Sequence, residues 1–283
     1  MEAFFVGRCV LAALYLRGLA RTFSPQTRGS GLVIRTLRLS DATLGSAHHV
    51  LSRAGLSAEA FTLTSPGLLA TAEHLLLAGR CLTRECDGFP SRWEQTLGPG
   101  APPALWIRGA MPTKPLFAVV GSRVATADSF QLASSVSAEA SRQGFAIVSG
   151  GAIGSDQAAL SSCEESAVIL PHGLVVTRCP YPVVVSACAP EEPFSRPNAM
   201  ERNALILASA EFSFVVHARI KEGGAWHAAT SALRRRLTTL IVANKHNPAA
   251  SALISLGGIP LSEASRLSAL LELPPAQPTL TPA

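Results

Sequence analysis

Charge is scarce in this 283-residue chain: Asp, Glu, Lys and Arg together make up 15% of it. Rings are scarcer still, at 6% aromatic, which argues against a surface that holds nucleic-acid bases mainly by stacking. The 6 cysteines (Cys9, Cys81, Cys86, Cys163, Cys179 and Cys188) form no CxxC pair, and no His/Cys cluster has zinc-ligand spacing. Reduced, mostly buried thiols of a cytosolic protein are the expectation. No long hydrophobic run opens the chain. The stretch Val10–Leu16 is far short of the ~20 residues a membrane span needs, and Glu2 stands where a signal peptide has a base. Flanked by Arg8 and Arg17, it reads as an amphipathic helix packed on the domain. What the chain has in quantity is apolar: 48% of it is hydrophobic, enough for one large domain and a small one. The net charge of +5 permits a nucleic-acid partner without demanding one, so any phosphate-binding surface must come from local arrangement.

The stretch from Phe117 to Asp156 supplies such an arrangement. Phe117-Ala118-Val119-Val120 is a β-type run that stops at Gly121-Ser122-Arg123. Phe145-Ala146-Ile147-Val148 is a second, stopping at Ser149-Gly150-Gly151-Ala152-Ile153-Gly154-Ser155. Between them Phe130, Ala133, Val136 and Ala140 share one helix face, and Gly144 sits at the helix C-cap. Strand, helix, strand predicts parallel neighbours with a right-handed crossover. Two glycine loops then open at one sheet edge, offering backbone N–H groups to an anion, with Arg123 in the first. Asp156 is placed to cap the helix that follows.

Further strands are expected at Val168–Leu170, Val183–Val185, Phe212–Val216 and Leu237–Ala243, and helices at Asn198–Ala208 and His227–Arg236. Arg202 and Asn203 fall in the early turns of the first of these helices. Arg202 reads as a phosphate contact or a shaper of the site, against pairing with Glu201 or another acid. Arg219 to Trp226, including Lys221, Gly223 and Gly224, opens a third glycine mouth. Ahead of the core, residues 21–45 read as irregular and Leu44–Leu82 as two or three short helices, one starting at Ser65-Pro66.

These loops resemble the DNA-processing protein A family (DprA, also called Smf), which carries VGSR or VGTR and then SGxAxGxD on a Rossmann-like fold. Asp87-Gly88-Phe89-Pro90 and Pro102 to Gly109 look like its lead-in, with Phe89 for the usual Tyr. Phe194-Ser195 and Asn198 to Ile206 are similar to FSxxNAMxRNxLI of one branch, Lys221 to Trp226 to KGGTW, and Asn247 to Leu261 to the closing segment. Three positions depart from the pattern: Ser155 for Ile or Val, Leu160 for His, and His217 for an acid.

The resemblance implies an α/β fold: a small N-terminal helical region (1–82), a Rossmann-like core (83–262) and a Pro-rich tail (263–283), read as disordered. It implies a cytoplasmic, homodimeric protein that binds and protects single-stranded DNA and helps load the RecA recombinase. Its DNA/phosphate site would draw on Gly121, Ser122, Arg123, Ser149, Gly150, Gly151, Gly154, Asp156, Arg202, Asn203, Lys221, Gly223 and Gly224. No nucleophile elbow or carboxylate pair stands out, so no enzyme, catalytic residue, metal or cofactor is expected. Two alternatives share the fold class. A nucleotide phosphoribohydrolase of the lysine-decarboxylase-like group would need PGGxGTxxE, and here neither Pro nor the later Glu accompanies Gly223-Gly224. A sensor binding a small nucleotide in the same mouths is the other.

Overall fold

The computed structural model describes residues 66–83, 88–102, 104–123, 125–176, 178–244 and 247–277. The expected N-terminal amphipathic helix, the irregular stretch 21–45, the helices before Ser65 and residues 278–283 lie outside the described residues.

Helix α1 (Pro66–Leu77) begins on the proline that the sequence marks as a helix start, where a missing N–H costs nothing. Strand β1 (Cys81–Thr83) follows, then helix α2 (Ser91–Leu97), β2 (Ala104–Arg108), β3 (Leu116–Val120), α3 (Ala127–Arg142), β4 (Ala146–Ser149), α4 (Ser155–Leu160), β5 (Ser166–Leu170) and β6 (Val184–Ser186). The second half runs α5 (Arg196–Ala208), β7 (Phe212–Val215), α6 (Gly223–Arg235), β8 (Thr239–Ala243), α7 (Pro248–Ser255), β9 (Ile259–Leu261) and α8 (Leu267–Leu271).

The strands form one sheet in the order β1-β2-β6-β5-β4-β3-β7-β8-β9. From β6 to β9 all pairings are parallel; β2 runs against β6, and β1 against β2. Period-2 alternation divides the core between the two faces. Ala118, Val120, Val148, Ile169, Val215 and Val242 face α2, α5, α6 and α7. Phe117, Val119, Ile147, Val168, Phe214 and Ile241 face α3, α4 and α8. Helices on both faces of a mainly parallel sheet make a doubly wound α/β fold. Trp93, fully buried, fastens α2 to this body by donating its Nε1–H to the Leu205 carbonyl at 2.8 Å.

Three boundaries differ from expectation. Cys81–Thr83 pairs with β2, so the sheet starts before residue 83. Gly223 and Gly224 form the first turn of α6 and are not a loop ahead of it. The segment from 263 is not a free tail throughout: Leu267 is fully buried against the α3 face, and the Ala276 N–H donates to Thr239 Oγ1 at 2.9 Å. The apolar spacing of Leu267, Leu270 and Leu271 is too short a run to stand out among prolines.

Among the described residues no helix is long and apolar enough to cross a membrane. Cys163 and Cys179 are free thiols, and burial pushes that of Cys163 up to about 11.

Candidate functional site

Because β3, β4 and β7 are parallel neighbours, the loops that leave them share one sheet edge. The first two loops interlock. A Cβ on Gly121 would meet the Ser155 hydroxyl, and one on Gly154 (φ 101°) would lie 2.9 Å from the Arg123 carbonyl. Ser155, buried at the start of α4, donates to the Ser122 carbonyl at 3.1 Å. Ser122 N–H in turn donates to the His217 carbonyl at 3.0 Å, which ties in the chain leaving β7. Ser149 is buried and donates to the Val119 carbonyl at 2.6 Å. Ser155, a departure from the family pattern, is therefore the residue that joins the two loops. The sequence showed the serine but not what it faces.

Beneath the second loop lies an ion pair of Arg202 with an acid, the alternative that the sequence left open for this arginine. Asp156 does not cap α4: the N-cap is Gly154, with no side-chain capping bond. Its Oδ2 instead accepts the Ala152 N–H at 3.3 Å and stands 4.0 Å from Arg202 Nη1. Both side chains are buried, Arg202 at 7% exposure and Asp156 at 7%. Space for the guanidinium exists because Gly150 has no side chain; a Cβ there would overlap Arg202 Nη1. Burial raises the Asp156 carboxyl above the usual range, opposed by the charge of Arg202. Burial likewise lowers Arg202, opposed by Asp156 and reinforced by the nearby charge of Arg123. Among the described residues, Arg202 Nε and Nη1 have no hydrogen-bond partner.

The next residue on α5 reaches a different mouth. Asn203 packs its amide against Gly224 so closely that a Cβ on that glycine would collide with it. One turn of α5 thus rests on two loops: Arg202 under the one after β4, Asn203 against the start of α6. Ser195 and Pro197 fix where that helix begins, with Ser195 accepting the Asn198 N–H at 3.2 Å.

Arg123 is exposed, and neither Asp128 nor Asp156 forms an ion pair with it among the described residues. Lys221 and Gly223 are also exposed, both with positive φ (58° and 72°). No described bond ties either of them to the β3 and β4 loops. The structure thus gathers Gly121, Ser122, Arg123, Ser149, Gly150, Gly151, Gly154, Asp156 and Arg202 at the ends of β3 and β4, and sets Asn203, Lys221, Gly223 and Gly224 around the start of α6. Among the described residues no group of three or more His, Cys, Asp or Glu could hold a metal ion.

Fold and edge together define a doubly wound α/β protein whose interlocked glycine loops carry one exposed arginine. A sequence model of the DNA recombination-mediator protein A family matches residues 80–265. The chain belongs to that family. No curated protein matches it significantly. Among solved structures it is similar to DNA processing protein A from Streptococcus pneumoniae, at 16% identity over 96% of this chain and 95% of that one, with a TM-score of 0.65. It is also similar to DNA processing protein A from Helicobacter pylori, a protein studied for its single-stranded DNA binding mode. That likeness is 20% identity over 68% of this chain and 96% of that one, with a TM-score of 0.59. At such identities both are likenesses of fold.

Proposed function

We propose that this chain is a single-stranded DNA-binding protein of the DNA-processing protein A type. It protects incoming or recombining strands and helps load the RecA recombinase, acting as a homodimer in the cytoplasm. The observation that carries this reading is Arg123, exposed and without an ion pair among the described residues, at the rim of two glycine loops that share one sheet edge. Loop amides with a free guanidinium beside them suit a phosphate through charge-assisted hydrogen bonds. Family membership and the similarity to a protein with a single-stranded DNA binding mode support the same partner.

The protein acts as a binder and not as an enzyme. The first turn of α6 carries no acid that could drive N-glycosidic cleavage, so nucleoside monophosphates are expected to release no free base.

Anisotropy titrations of labelled single-stranded and duplex DNA, repeated across salt concentrations, test the proposal. Single strands are expected to bind more tightly, with log K falling steeply against log salt as counterions are released. Equal affinity for blunt duplex, or salt-insensitive binding, overturns it. RecA filament assembly with and without the protein, and sedimentation of the free chain, test the loading and dimer parts.

A further inference from the structure

The two interlocked loops end at β4, but the edge they belong to continues. Strands β3, β4, β5 and β6 are parallel neighbours, so the loops that leave them stand side by side. From first to last they span about 14 Å. Each loop puts side chains into solvent, and two kinds are interleaved. The loop after β3 carries Arg123, exposed. The loop after β4 carries Ile153, at 79% exposure. The chain leaving β5 carries Val175, at 68%, and then Arg178, exposed. The loop after β6 carries Phe194, at 50%, and leads into Arg196, exposed at the start of α5.

The last two loops are laced together. The Gly173 N–H donates to the Glu192 carbonyl at 2.8 Å, and the Val175 N–H to the Pro190 carbonyl at 3.1 Å. Their backbones meet each other and leave Val175 and Phe194 facing solvent. Folding gains nothing from a large apolar side chain in water, and apolar groups gathered beside a polar binding edge mark a contact surface. The charges fit the same partner. The loops after β3, β4 and β5 contain no acid. In the loop after β6, Glu191 is exposed, whereas Glu192 accepts from the Ala189 N–H at 3.2 Å and from Asn198 Nδ2 at 2.9 Å. Arg123, Arg178 and Arg196 form no ion pair among the described residues. Guanidinium groups interleaved with apolar side chains suit a chain that alternates phosphates with flat, unpaired rings.

We propose that the edge from β3 to β6 is one track for a single strand, in which bases lie on Ile153, Val175 and Phe194 while Arg123, Arg178 and Arg196 take phosphates. Phe194 supplies the ring on which a base stacks. The inference rests on the DNA reading and deepens it. Bases locked in a duplex cannot reach the apolar loop tips, which gives the preference for single strands a physical source.

Anisotropy titrations of the full chain with a labelled oligothymidylate and with an abasic strand of equal length test it, since the two strands carry the same phosphates. The oligothymidylate is expected to bind at least about tenfold more tightly. Phe194 and Ile153 are exposed, so their variants are expected to fold. Phe194→Ser is expected to lose about tenfold on the oligothymidylate, the scale of one stacked base, with its affinity for the abasic strand and its salt slope unchanged. Ile153→Ser is expected to follow the same pattern with a smaller loss. Arg178→Ala and Arg196→Ala are expected to weaken both strands alike, each flattening the salt slope by about one unit. Equal affinity of the unaltered chain for the two strands overturns the proposal and leaves the DNA reading in place. So does a Phe194→Ser variant that loses nothing, or loses equally on both. Unchanged salt slopes for both arginine variants confine the strand to the loops after β3 and β4 and overturn the track. Binding of neither strand overturns the DNA reading and this proposal together. A change in the sedimentation of free Phe194→Ser makes the apolar tips an interface between copies of the chain, which overturns the proposal as well.

Discussion

The loop after β4 and the turn into α6 look alike in sequence, since each sets adjacent glycines at the start of a helix, but they are built differently. In the β4 loop the glycines serve packing. Gly150 makes room for the guanidinium of Arg202, and Gly154 backs onto the Arg123 carbonyl at a φ of 101°. The space below it holds the protein's own ion pair. At α6 only Gly224 is pressed, by Asn203, while Gly223 has no atom within 4 Å of where a Cβ would stand and Lys221 is exposed beside it. A glycine pair read as an anion mouth can thus be a filled strut or an open turn. The difference lies in what a distant helix inserts beneath it.

The strongest way to break this contrast is to empty the strut. Arg202→Met leaves Asp156 buried without its counter-charge, and removing one partner of a buried pair costs about 3–5 kcal/mol. Chemical denaturation is expected to show a loss on that scale, with Gly150→Ala comparable because its Cβ displaces the same guanidinium. A loss below about 1 kcal/mol for Arg202→Met, the scale of an exposed pair, removes the distinction between filled and open loops.

Next in size is Arg123→Ala. It is expected to weaken single-stranded DNA binding by about 1–3 kcal/mol and to flatten the salt slope by about one unit. The melting temperature should hardly move, since the side chain is exposed and without an ion pair among the described residues. A fall in melting temperature with an unchanged salt slope makes Arg123 a structural residue like Arg202.

Gly223→Ala sharpens the other side of the comparison. No neighbour obstructs the new methyl group, so only the left-handed backbone (φ 72°) resists it, at about 1 kcal/mol. The variant is expected to fold and to melt slightly earlier. Unfolding on the scale of Gly150→Ala would mean that the turn is as tightly packed as the β4 loop.

The smallest effect concerns pH. Burial, with Arg219 nearby, holds His217 below its unfolded value of 6.5 in the folded state. Below that value the unfolded chain takes up the proton first, so the stabilising contribution is complete above pH 6.5 and is lost as pH falls toward the folded value. Melting curves at stepwise lower pH should show His217→Gln losing less stability than the unaltered chain in that window. Parallel curves exclude the effect.

Much of the fold was legible in the sequence because its signals are local. Phe117–Val120 and Phe145–Val148 read as strands from their β-type composition, and both lie in the sheet within a residue or so of the expected bounds. Ser65-Pro66 marked a helix start, and the helix begins at Pro66; the helix expected from Asn198 begins two residues earlier, at Arg196, where Ser195 caps it. Cys81–Thr83 escaped notice because three residues carry no measurable period, and its identity as a strand depends on β2 lying beside it. Asp156 was read as a cap because an acid in a first helical turn usually serves the helix dipole. It does stand in that turn, but its carboxylate accepts from the β4 loop and faces Arg202 of α5 instead of capping α4.

The sequence by itself determined the succession of strands and helices, the glycine loops at strand ends and the family to which the chain belongs, since each depends on residues close together in the chain. Only the tertiary structure decided that Arg202 lies under Gly150, that Asn203 lies against Gly224 and that Ser155 ties the first two loops. It alone set Ile153, Val175 and Phe194 along one edge, by making β4, β5 and β6 parallel neighbours. These outcomes depend on which face each crossover helix covers and on where distant side chains then find room. Those are properties of the packed core as a whole, and no local pattern of residues specifies them.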